Sequence, residues 1–167
     1  MGLLAASAAT FGVRIFGALT ASLVAIVISR SLGPEGQGVY SLLILVLSLL
    51  VLVTGMGMSA ANTYLGGSQP DKLDQLAGNS IYSASVLGLV GGSLFAVIAL
   101  TARPAFLDNV ATPYIVALPF LVVVGLLLNY FTGLLLGRYQ IGHWNIVRLV
   151  RQAIFAILVV ILVPVAN

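Results

Sequence analysis

Arg14, Arg148 and Arg151 are the side chains best suited to chemistry in this sequence, because each lies in or at the edge of a long apolar run. A guanidinium is planar and permanently charged, and it can grip a phosphate through two parallel hydrogen bonds. Arg14 sits about two turns inside the first run, with Thr10 and Ser7 on the same helical face at spacings of four and seven. A charge at membrane depth costs roughly 2.5–3.5 kcal/mol on insertion scales, so it usually faces a cavity, a partner or water. Asn145, Arg148, Arg151 and Gln152 open the last run on one side, at spacings of three, six and seven. Two guanidinium groups on one helical face would suit a pyrophosphate. A plainer reading has Arg14 snorkelling to the interface while Arg148 and Arg151 anchor their helix beside the headgroups. Asn62 and Ser59 in the second run, and Asn129 and Thr132 in the fourth, would line a hydrophilic path if they face inward. As interhelical hydrogen-bonding groups they would serve packing instead.

Catalysis finds little support. The one histidine, His143, sits beside Trp144 with no acidic residue within several positions, and Glu35, Asp71, Asp74 and Asp108 all fall in expected loops. Neither paired carboxylates nor a buried Ser/His/Asp set can be assembled from such placements. No phosphate-cradling Gly-Lys-Ser/Thr loop is present, so ATP is not expected to be used. The absence of cysteine excludes disulfides, thiolate metal sites and a Cys nucleophile. The chain is therefore expected to be neither an enzyme nor a cofactor or metal protein.

The elements that must position these residues follow from composition. Hydrophobic residues make up 60% of the chain and charged residues 7%, against about 25% charged in soluble domains. This is an all-α integral membrane protein. Its net charge of +3 is too sparse and scattered to bind nucleic acid. Used as punctuation, the polar breaks leave five spans at roughly 8–31, 39–65, 79–101, 113–136 and 145–165, in a single helical bundle over 1–167. The first two spans flank Arg30-Ser-Leu-Gly33-Pro34-Glu-Gly-Gln-Gly38, where Pro34 and three glycines favour a tight loop over 33–38, the hinge of a transmembrane hairpin.

With the N-terminus in the cytoplasm, Arg14, Lys72, Arg138, Arg148 and Arg151 lie inside and Arg30 and Arg103 outside, as the positive-inside rule expects. Five spans then leave Asn167 outside. Tyr40, Tyr64, Tyr82, Tyr114, Tyr139 and Trp144 fall near the proposed helix ends, where amphipathic rings favour the headgroup layer. Small residues recur every four positions at Ser80, Ala84, Gly88, Gly92 and Ala96, and at Gly125, Gly133 and Gly137 with Asn129 between. Gly17, Ala21 and Ala25 make a shorter ridge of the same kind. Such ridges let helix backbones approach closely in lipid.

Arg30-x-Leu-Gly-Pro-Glu-Gly-x-Gly-x-Tyr40, followed by an apolar helix ending Gly55-Met-Gly-Met-Ser-Ala-Ala-Asn62, resembles the opening hairpin of polysaccharide and oligosaccharide flippases. These belong to the multidrug/oligosaccharidyl-lipid/polysaccharide exporter superfamily. Gly133-Leu-Leu-Leu-Gly-Arg-Tyr-Gln-Ile-Gly-His-Trp-Asn145 is similar to that family's link between its fourth and fifth helices. The resemblance runs through essentially the whole chain and implies most of the first lobe of such a flippase, without the second lobe. The chain would then be a fragment, or would act as two associated copies. It further implies a polyprenyl-pyrophosphate-linked sugar as substrate, flipped across the cytoplasmic membrane in polysaccharide biosynthesis, with Arg14 in the central cavity at the anionic headgroup. A drug or cation antiporter of the same superfamily would more often carry a carboxylate within its spans, and none is expected here. A non-transporting membrane scaffold, whose small-residue ridges bind other helices, is the rival from another class.

Overall fold

Uninterrupted runs of Leu, Ile, Val and Ala become helices here because each backbone N–H then bonds the carbonyl four residues earlier, leaving nothing for lipid to satisfy. The computed structural model describes residues 3–102, 104, 107, 108 and 110–165, and the side chains of 3–10, 141, 155 and 158–165 lie outside that description. Five α-helices follow in order: α1 (Leu3–Thr54), α2 (Met58–Ser68), α3 (Leu73–Ala102), α4 (Thr112–Gly137) and α5 (Ile141–Val165). A single 3-10 turn, Pro70–Lys72, separates α2 from α3, and no strand occurs among the described residues. Arg103 and Asn167, which entered the expected topology, lie outside the described residues.

Among the described residues, three helical stretches are long and apolar enough to cross a membrane: Phe11–Thr54, Pro70–Ala102 and Thr112–Gly137. The first, at 44 residues, is about twice the length one crossing needs. Gly33 interrupts it near its middle with φ 68° and ψ −176°, a backbone state that costs glycine little and other residues much. The expected polar loop over 33–38 therefore shrinks to one residue. Helix resumes at Pro34, because proline lacks only an N–H that the first turn of a helix leaves unbonded anyway.

Met1–Tyr40 with Gln140–Asn167 forms one compact unit and Ser41–Tyr139 another. In the first, Val13, Gly17, Thr20, Val24 and Ile28 make the buried stripe of α1, at the three- and four-residue spacings of one helical face. Tyr40 packs against Val24 and Ile28. A straight helix would hold Val24 and Tyr40 about 24 Å apart at 1.5 Å per residue, so the chain doubles back at Gly33. Helix α5 covers the same stripe: Gly17 lies against the Gln152 amide, and Ala156 joins Val24 and Ile28. Both contacts advance in the same direction along the two helices, so the first half of α1 and α5 run parallel. Of the short ridge expected on α1, only Gly17 is buried, while Ala21 and Ala25 are exposed.

The second unit is organised around α4, whose Ile115, Leu118, Val122, Leu126, Tyr130 and Leu134 are buried. Helix α3 lies antiparallel on one side and presents Ser80, Ala84, Gly88, Gly92 and Ala96, all buried. Gly88 meets Val123 and Gly92 meets Pro119 at distances that leave no room for a β-carbon. The last turns of α1, and then α2, run parallel to α4, with Val51 against Gly125, Ser59 against Gly133 and Thr63 against Gly137. This second run does not form the single helix expected over 39–65. It breaks at Gly55-Met56-Gly57, where Met56 (φ 45°) and Gly57 (φ 72°) both take left-handed conformations. Helices α3 and α5 also begin earlier than expected, at Leu73 rather than 79 and at Ile141 rather than 145.

Candidate functional site

In the first unit, the parallel pairing of α1 and α5 sets the height of the arginines. Arg14 precedes Gly17 by three residues and Arg148 precedes Gln152 by four, and Gly17 touches Gln152. At 1.5 Å per residue the two arginines stand about 4.5 and 6 Å below that contact, nearly level on adjacent helices. They also share one side of the seam. The opposite side is wholly apolar, an open groove of about 510 Å³ bounded by Gly12, Val13, Phe16, Leu149, Val150 and Ala153. Arg14 lies two residues from both Gly12 and Phe16, which places it about 200° round α1 from each.

Arg148 is half-buried, and its guanidinium carbon sits 5.5 Å from the centroid of the Trp144 ring one turn earlier. Such stacking fixes the plane of the cation and leaves its N–H edge free to donate. Asn145 on the same face is buried, Arg14 is exposed, and Arg151 is exposed on the outward side of α5. The sequence of this unit contains Arg14, Arg30, Arg148 and Arg151 against the lone carboxylate Glu35, so its field favours an anion. The side chains of Ser7 and Thr10, expected beside Arg14, lie outside the described residues.

In the second unit, the break at Gly55–Gly57 leaves helix-end groups that protein must satisfy at membrane depth. The N–H of Gly55 bonds the Val51 carbonyl at 3.0 Å, that of Met58 bonds the Gly55 carbonyl at 2.9 Å, and those of Ala60 and Ala61 bond the Gly57 carbonyl at 3.0 and 3.1 Å. The buried Tyr130 hydroxyl donates to the Gly55 carbonyl at 3.2 Å, clamping the break from α4. Below it runs a polar seam. Ser59 Oγ donates to the Asn129 carbonyl (3.0 Å), Asn62 Nδ2 to Ser80 Oγ (2.7 Å) and to the Tyr130 carbonyl (3.3 Å), and Thr63 Oγ1 to the Gly133 carbonyl (3.1 Å).

Asn62, only 2% exposed, thus holds α2, α3 and α4 together. Asn129 contributes its carbonyl to the seam while the residue is exposed, and Thr132 bonds the Leu128 carbonyl within its own helix. Thr63, Tyr130 and Ser80 are the seam residues whose polar role the sequence did not point to. A signal existed for Tyr130: it is the one tyrosine of six that lies away from the helix ends. The chain matches no family model, and comparison with curated proteins and with solved structures likewise finds no match.

Proposed function

We propose that this chain is most of the first lobe of a flippase that moves polyprenyl-diphosphate-linked oligosaccharides across a cell membrane, from the cytoplasmic to the outer leaflet. Arg14 and Arg148 carry this reading: two arginines level on adjacent parallel helices, in a chain whose other apolar runs, over 39–65, 79–101 and 113–136, hold no charge. One guanidinium on each phosphate of a diphosphate gives charge-assisted, paired hydrogen bonds at a surface with no competing carboxylate. Arg151 attracts the same headgroup from the outward face, and Asn129 presents an exposed amide in the second unit. Asn62 serves by keeping the helices beside the break in place.

Further support comes from the direction of the helices. Five crossings that alternate, with the N-terminus in the cytoplasm, require the first and the fifth to run parallel, which is how the first half of α1 and α5 are paired. The broken second span supplies a bendable element of the kind found in alternating-access transporters. Rocking of one lobe against another needs a second lobe, from further helices or from a second copy of the chain. The drive would be an ion gradient or the supply of substrate. Glu35 lies two residues past the Gly33 turn, Asp71 in the Pro70–Lys72 turn, Asp74 in the first turn of α3 and Asp108 between α3 and α4, which favours an anionic substrate over the cationic drugs of an antiporter.

The test is headgroup flipping in proteoliposomes by the complete protein, with membrane abundance as control. Arg14→Lys keeps the charge but loses the planar fork, and a lost charge-assisted hydrogen bond of about 1.5–3 kcal/mol corresponds to roughly ten- to hundredfold slower flipping. Arg14→Ala and Arg148→Ala should each abolish it. Normal flipping by both Ala variants at normal abundance would refute the diphosphate role. One observation favours a second reading, a non-transporting scaffold: Ser59, Asn62 and Thr63 all spend their side chains on interhelical bonds. Wild-type protein that flips no headgroup while assembling with other membrane helices would establish it.

A further inference from the structure

Beyond the Gly17–Gln152 contact, the first unit opens into a cavity of about 260 Å³ bounded by Thr20, Ala21, Val24, Ala25, Tyr40 and Gln152. We propose that this cavity binds an uncharged, hydroxyl-rich ring, such as the first sugar of the lipid-linked substrate. The proposal rests on the diphosphate reading for its neighbour but stands on its own geometry.

The chemistry of the walls selects the ligand. Three polar side chains converge there within a long apolar run: the Thr20 hydroxyl, the Tyr40 phenol and the Gln152 amide. None of the lining residues is charged, so neither an ion nor a phosphate is matched. Thr20 donates its hydrogen to the Phe16 carbonyl at 2.8 Å, which leaves its oxygen free to accept. Gln152 Nε2 donates to the Gly17 carbonyl at 3.2 Å, while Oε1 is enclosed without a hydrogen-bond partner. An unpaired amide oxygen at membrane depth is costly, and a small turn of the amide presents it to a donor inside the cavity. A sugar hydroxyl both donates and accepts, which suits a wall of one amide, one alcohol and one phenol. Ala21 and Ala25 keep the space open, and its volume is several times what one water requires. The pattern of a mostly apolar wall with a few placed polar groups is that of small-molecule sites generally.

Position adds a second, independent match. Ala21 follows Arg14 by seven residues, two helical turns on the same face, so the cavity begins about 10 Å beyond the arginine level. A sugar joined to a diphosphate held by Arg14 and Arg148 reaches that depth along one side of a single helix pair. The diphosphate would then occupy the cationic end and the neutral ring the uncharged one.

The experiment uses the full protein in lipid nanodiscs, with quenching of Trp144, the one tryptophan, reporting binding. The probes are a short prenyl diphosphate and the same compound carrying one glucose. Wild type should bind the glucose-bearing probe about tenfold more tightly, the worth of one or two well-made hydrogen bonds. Ala21→Leu, which fills the cavity, should erase that difference and leave the sugar-free probe unaffected. Equal affinities in wild type, or equal loss of both probes in Ala21→Leu, would overturn the proposal. If wild type binds neither probe, the diphosphate reading fails, and the cavity is decided separately by Ala25→Cys in this cysteine-free chain. A polar maleimide should label that thiol, and excess methyl glucoside should protect it. No labelling, or labelling unaffected by the glucoside, would overturn the sugar site.

Discussion

Replacing Gly133 with Ala tests one of the tightest helix crossings in the second unit. A β-carbon at Gly133 would run into the Ser59 carbonyl oxygen and lie 3.0 Å from Ser59 Oγ, so α2 must retreat by about an ångström. That shift stretches three bonds of the seam, Ser59 to Asn129, Asn62 to Tyr130 and Thr63 to Gly133, beyond hydrogen-bond range. At about 0.6 kcal/mol each in a membrane they amount to roughly 2 kcal/mol, and overpacking adds about 1–3 kcal/mol. The gain in helix propensity from Gly to Ala offsets about 1 kcal/mol. A net loss of about 2–4 kcal/mol should lower the melting temperature by about 5–15 °C for a chain of this length. The control is Gly78→Ala on α3, where a β-carbon meets nothing within 4 Å. Detergent-purified variants heated in steps, with the monodisperse fraction measured by size exclusion, give the comparison. If Gly133→Ala melts together with Gly78→Ala, α2 and α4 are not in contact at Ser59 and the seam is wrong.

Asn62→Ala should cost about 1–2 kcal/mol through its two interhelical bonds, and a double-mutant cycle with Ser80→Ala should show a coupling of about 0.6 kcal/mol; strict additivity would contradict the contact. Tyr130→Phe should cost only about 0.5–1 kcal/mol, because the Gly55 carbonyl keeps the Met58 N–H, whereas Tyr130→Ala should cost about 3–5 kcal/mol by emptying the core. Similar melting temperatures for the two would show that the ring is not buried. For topology, a cysteine at Gln37 should react with an impermeant thiol reagent in intact cells and one at Gln69 should not. The reverse pattern would invert the orientation.

Much of the helical layout is set by composition alone. A long apolar run favours helix in lipid, and a small residue every fourth position lets a neighbour approach, so the burial of Ser80, Ala84, Gly88, Gly92 and Ala96 is legible in the primary structure, whereas the same spacing on α1 leaves Ala21 and Ala25 exposed. The turn before Pro34 is legible too, although its compression onto Gly33 is not, because proline is as good a start to a helix as an end. Two features were decided only by tertiary structure. The break at Gly55–Gly57 interrupts a run that hydrophobicity reads as continuous, and left-handed residues there are tolerated because the Tyr130 hydroxyl, 75 positions away, meets the Gly55 carbonyl. The level placement of Arg14 and Arg148 depends on which helices pair and in which direction. Periodicity fixes the face a residue occupies on its own helix. The neighbour across that face is chosen by contacts between Gly17 and Gln152, 135 positions apart, which no local pattern encodes.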